Sequence, residues 1–156
     1  MQEIILETTQ VIKTLNDLID LNRDSQDGFL TAADKIETQY IKSFCLEESR
    51  ARAQFKEELQ SIVRSLGDAP DDAETVAGAL RRGWMNIKSA LGGGDHAILV
   101  VVVSSEEHAV SEYQRALTTV LPDGLRNILE RQRESVTQAH QKIKTMCDSV
   151  KEIHRI

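Results

Sequence analysis

Proline is nearly absent from this chain: the two prolines, Pro70 and Pro122, are each followed by aspartate in a short turn-like stretch, and the eight glycines concentrate at Gly67, Gly78, Gly83, Gly92, Gly93 and Gly94. Because both residue types interrupt helices, their scarcity elsewhere leaves long stretches able to run as unbroken helix. Basic charge is in deficit. Lys and Arg number 19 against 25 Asp and Glu, a formal net charge of −6. This argues against the clustered positive surface that nucleic acid or an anionic membrane requires, so neither is expected as a partner. No apolar run approaches the roughly 20 residues of a membrane span. The opening MQEIILETTQ lacks the basic and apolar regions of a secretory signal, and the expected location is cytoplasmic. The two cysteines, Cys45 and Cys147, form neither CxxC nor Cys/His metal spacing and fall on or beside apolar helical faces, which predicts buried thiols.

What is present is helical periodicity. A chain of 156 residues with 40% hydrophobic content suits one domain over 1–156 with a core of its own. The first segment, about 3–36, places Val11, Leu15, Leu18, Asn22, Ser25, Phe29, Ala33 and Ile36 on one face. Its aspartates Asp17, Asp20, Asp24, Asp27 and Asp34 fall opposite, as a solvated face. A second segment, about 38–66, carries Ile41, Phe44, Glu48, Arg52, Phe55, Leu59, Ile62 and Leu66, with Gly67 as its C-cap. A shorter stripe of Val76, Leu80, Trp84, Ile87 and Leu91 reads as a helical crossover, with Trp84 sealing a core edge and the three glycines after it as a helix stop. Those glycines lack the Lys and Ser/Thr of a phosphate loop.

The third long segment, ILVVVVSSEEHAVSEYQRAL over 98–117, aligns Leu99, Val102, Glu106, Ala109, Val110, Tyr113 and Leu117. Four consecutive valines at 100–103 favour a strand locally, yet the helical period continues beyond them, and helix is expected. Val100 and Val101 lie outside the inward stripe. After a turn at Leu121, Pro122, Asp123 and Gly124, with Asp123 as a cap, the last segment turns Leu125, Ile128, Gln132, Val136, Ala139, Ile143, Met146 and Val150 inward.

Polar residues inside these stripes mark the candidate site. Asn22, Glu48, Arg52, Glu106, Gln132 and His140 form an expected interior polar layer. A buried carboxylate needs a counter-charge, a proton or a cation. Glu48 and Arg52 have the order and spacing of an ion pair on one helix, so Arg52 is expected to pair with Glu48, with Glu106 in reach. Glu48, Glu106 and His140 are the alternative metal ligands. His96 reads as a capping or surface residue, and His108 and His154 as exposed. No nucleophile sits in a strained turn, and no catalytic residue is assigned.

Four long helices with two short turns and one long crossover have the connectivity of ferritin-like bundles. The strings ARAQFKEELQSIVRSLG, VAGALRRGWMNIKSAL, GGGDHAIL and LERQRESVTQAHQKI resemble a bacterial family of ferritin-like four-helix-bundle proteins of unknown function. The resemblance runs over nearly the whole chain and implies an all-α, ferritin-like four-helix bundle with a long helical crossover between the second and third long helices. The two-iron pattern of such bundles places one carboxylate on each of two helices and Glu-x-x-His on the other two. Here His140 is preceded by Thr137 where that pattern has Glu, and Glu48 is followed by Ala51 where it has His. The valines at 100–103 also replace a stretch that is usually acidic in the resembling family. The expected function is therefore non-enzymatic, structural or interaction-based, with a polar layer in place of a complete di-iron site and no cofactor. The alternatives are a protein binding iron or another divalent metal through a reduced ligand set and, with an open coordination position as well, a redox-active, metal-dependent oxidoreductase. A homodimer through Val100 and Val101 is the expected assembly, the alternative being that the crossover stripe of Val76, Leu80, Trp84, Ile87 and Leu91 covers them.

Overall fold

The stretches poor in proline and glycine become four helices in the computed structural model, which describes residues 2–70 and 93–153, and side chains over 7–70 and 93–151. They are α1 (Gln2–Lys35), α2 (Gln39–Ser65), α3 (Gly94–Leu117) and α4 (Asp123–Ile153). No strand occurs among the described residues, and the valines at 100–103 are part of α3. The crossover stripe of Val76, Leu80, Trp84, Ile87 and Leu91 lies outside the described residues.

Residues 36–38 alone join α1 to α2, and 118–122 join α3 to α4, so each pair folds as an antiparallel hairpin. The hairpins then pack with α1 against α3 and α2 against α4. At one end Asp95, in the first turn of α3, reaches the α1–α2 turn, where its carboxylate accepts from the backbone N–H groups of Glu37 at 2.8 Å and Thr38 at 2.9 Å. At the other end Val11, Leu66, Val120, Leu121 and Pro122 line one cleft. Thus α2 and α3 run in the same direction, and the end of α2 and the start of α3 stand at opposite ends of the bundle.

Local chemistry sets these ends. Gly67 adopts φ +87, its N–H bonds to Arg64 O, and the following Asp68 N–H reaches back to Val63 O. This is the Schellman closure that favours glycine, as expected of Gly67. The glycines at 93 and 94 correct an expectation, because within the described residues they start α3. A Cβ on Gly93 would lie 2.5 Å from that of Ala97, and Gly94 has φ +74. They let the chain turn into α3 with Asp95 aimed at its neighbour. Asp123 is the first residue of α4, not a residue preceding it. Arg126 braces the turn before it by donating to Leu117 O at 2.9 Å and Thr119 O at 3.0 Å.

All eight residues of the expected α1 stripe are buried, as are Glu106, Tyr113, Gln132, Val136 and Ile143 on α3 and α4. Each fully buried Leu, Ile or Phe contributes about 1.5 to 3 kcal/mol. Several expectations need correction. Asp20 is buried beside Arg23 at 3.0 Å and Asp24 is half-buried, because α1 also buries Ile19, Leu21 and Ala32 and so is covered over a wider arc than one stripe. On α2 the buried set is Ile41, Cys45, Ser49, Arg52, Leu59 and Val63. Phe44, Phe55 and Ile62 are half-buried, and Leu66 is 39% exposed. The buried face turns toward small residues because α1 comes close there: Ser49 Oγ donates to the main-chain oxygen of Gln26 at 2.9 Å. On α3, Val100 stays 49% exposed, but Val101 is half-buried against the core. On α4, Leu129 is buried where Ile128 was expected, and Ile128 is half-buried.

Candidate functional site

Two polar layers cross the interior. In the first, Arg52 of α2 extends into the core, where it is 1% exposed, and meets Glu106 of α3, which is fully buried. Both terminal nitrogens engage: Nη1 donates to Oε1 at 2.9 Å and Nη2 to Oε2 at 2.6 Å. Such a fork suits a planar guanidinium and recovers part of the large cost of burying two charges. The expected principal partner was Glu48. Its Oε2 stands 3.5 Å from Nη2 and its side chain is 17% exposed, so it is a secondary partner. The physical reason is direction, since a residue one turn away on the same helix offers a single oxygen, whereas the facing helix presents both. Phe29 of α1 supports the guanidinium from one side, with Cζ 5.3 Å from the ring centroid.

The charge states follow from burial and these neighbours. Burial pulls Arg52 down, but the charge and hydrogen bonds of Glu106, with help from Glu48, outweigh it and hold the guanidinium firmly protonated. Burial raises Glu48, Arg52 opposes, and Glu106 adds to the rise, leaving Glu48 above its ordinary value.

The second layer was only partly legible. Asn22 Nδ2 donates to Leu18 O at 2.8 Å and to Tyr113 Oη at 2.7 Å. Tyr113 Oη donates to Gln132 Oε1 at 2.7 Å, and Gln132 Nε2 donates to Glu58 Oε1 at 2.7 Å. Arg131 closes the line by donating to both oxygens of Glu58, at 2.7 and 2.6 Å. The two ends fix the direction, because a main-chain carbonyl and a carboxylate can only accept. All four helices contribute. Burial raises the Tyr113 phenol above its ordinary value despite the opposing hydrogen bond from Asn22, so it remains a donor. Helical periodicity placed Asn22 and Gln132 inside but made Tyr113 an apolar stripe residue, and it did not single out Glu58, Arg131 or Asp95. An interior Asn and Gln demand partners, and Tyr113 was the polar tip within the same stripes.

The remaining candidates do not join these layers. His140 is half-buried with Nε2 3.5 Å from Glu107 Oε1. His108 was expected to be exposed, but packing beside Glu112, 4.0 Å away, leaves it half-buried. His96 is half-buried and His154 lies outside the described residues. Cys45 and Cys147 are free and buried. Burial, reinforced by Glu48 and Glu106, pushes the Cys45 thiol up to about 12, and burial followed by Asp148 raises Cys147. Both shifts oppose formation of the thiolate that a cysteine nucleophile needs.

The donor set fits a dication poorly. Both oxygens of Glu106 already accept from Arg52, and that guanidinium would oppose a second cation at the same carboxylate. Among the described residues no three His, Cys, Asp or Glu side chains form a group arranged for a metal ion. No described helix is long and apolar enough to cross a membrane.

No curated protein matches the chain. A family model described as a domain of unknown function (DUF2383) matches residues 10–119. The span takes in most of α1 and all of α2 and α3, with Asn22, Arg52, Glu106 and Tyr113, and stops before α4. With well over half of its length matched, this chain belongs to the DUF2383 family.

Proposed function

We propose that the protein is a bacterial, cytoplasmic ferritin-like bundle without enzymatic activity, serving a structural or interaction role. In this reading Arg52 supplies internally the positive charge that metal ions supply in a two-iron bundle. The observation that carries it is the fork from Arg52 to both oxygens of Glu106. The parallel directions of α2 and α3 support the ferritin-like topology. Of the alternative ligands Glu48, Glu106 and His140, the second is engaged by Arg52 and the third points to Glu107. Elemental analysis of the protein purified without a histidine tag tests the reading. Metal well below one equivalent per chain is expected, whereas one or two equivalents of iron or another divalent metal would favour the reduced-ligand alternative.

The exposed Val100 supports association of two copies, since a two-fold contact needs only one self-complementary patch. Light scattering should report a dimer that Val100→Glu converts to a helical monomer. A monomeric parent would exclude the dimer.

A further inference from the structure

Between the two polar layers lie three polar atoms with a chemistry of their own. Asn22 Oδ1 and Ser25 Oγ on α1 and Arg52 Nε on α2 are buried without a hydrogen-bond partner among the described residues. Their residues are at most 1% exposed. Asn22 and Ser25, three positions apart, share one helical face. The bond from Ser49 to Gln26 O sets residues 49–52 of α2 level with 22–26 of α1. Arg52 leaves the backbone at that level and ends over Phe29, one turn beyond Ser25 on α1, so its side chain spans the level of Ser25.

The hydrogen-bonding needs of these atoms are complementary. Asn22 Oδ1 only accepts, Arg52 Nε–H only donates, and the Ser25 hydroxyl does either. A buried water makes about three such bonds and needs a polar site of this kind. We propose that one ordered water molecule binds between α1 and α2, donating to Asn22 Oδ1, accepting from Arg52 Nε–H and completing its bonds with Ser25 Oγ. It joins the two layers. A continuous hydrogen-bonded line then runs from Glu48 through Arg52, the water, Asn22, Tyr113 and Gln132 to Glu58 and Arg131.

High-resolution diffraction from crystals of the full chain tests the proposal. The expected result is one water peak within hydrogen-bond distance of all three atoms. A dry site, or direct protein partners for Asn22 Oδ1 and Arg52 Nε, would overturn it. Ser25→Val should displace the water and shift the Asn22 amide, while the smaller Ser25→Ala keeps a water on the other two atoms. A water retained at an unchanged position in the Ser25→Val crystal would count against Ser25 as a partner and overturn the three-atom site.

Discussion

Arg52 holds both carboxylate oxygens of Glu106 on the facing helix, at 2.9 and 2.6 Å, while Glu48 on its own helix stands back at 3.5 Å. The long-range pair crosses the bundle between its two hairpins. It is therefore a tertiary contact whose loss is felt by the whole fold.

Arg52→Ala should cost about 3 to 5 kcal/mol, because it strands Glu106 as a buried uncompensated charge. Replacing both partners with apolar residues, as in Arg52→Met with Glu106→Leu, should cost far less, with an outcome between neutral and a gain of about 4 kcal/mol. Urea denaturation monitored by circular dichroism compares them. A single-variant loss below about 1 kcal/mol would place the pair among exposed ion pairs.

Glu48 gives stability a pH dependence on the acid side. Its folded-state value is raised, chiefly by burial, so the folded protein holds a proton that the unfolded chain releases. The contribution is complete below the ordinary glutamate value of about 4.3 and is lost as pH rises through the folded value. Glu48→Gln should flatten the fall in stability over that window and leave the protein no weaker at neutral pH. An unchanged slope in denaturation curves across the window would rule this out.

Tyr113→Phe removes the central oxygen of the second layer and leaves Asn22 Nδ2 and Gln132 Oε1 each short of a partner. The expected loss is about 1 to 3 kcal/mol. Burial also holds the folded phenol above its ordinary value, so above about pH 10 the unfolded chain ionises first and parental stability declines. Tyr113→Phe should lack that alkaline component. Stability measured at neutral and alkaline pH for both proteins decides it.

Asp95→Ala should cost about 1 to 3 kcal/mol, since it removes the charged acceptor that ties the α1–α2 turn to the start of α3. Hydrogen exchange is expected to accelerate at the amides of Glu37 and Thr38. Protection unchanged at both positions would mean that the α1–α2 turn is closed without Asp95.

The four helices and most of their inward faces were legible in the sequence. Leu15, Asn22 and Phe29, or Val136 and Ile143, recur at the helical period, and Gly67 closes α2 by its own backbone freedom. Periodicity acts within one helix, so it also identified Arg52 and Glu106 as interior charges. It favoured Glu48 as the partner because sequence spacing registers only neighbours on the same helix. The pairing of Arg52 with Glu106, the line from Asn22 through Tyr113 to Glu58, and the tie from Asp95 to the α1–α2 turn all join separate helices, and the buried arc of α2 turned toward Ser49 because α1 approaches there. Those were decided by the tertiary structure, for the physical reason that a buried polar group takes whichever partner the facing helix brings within about 3 Å.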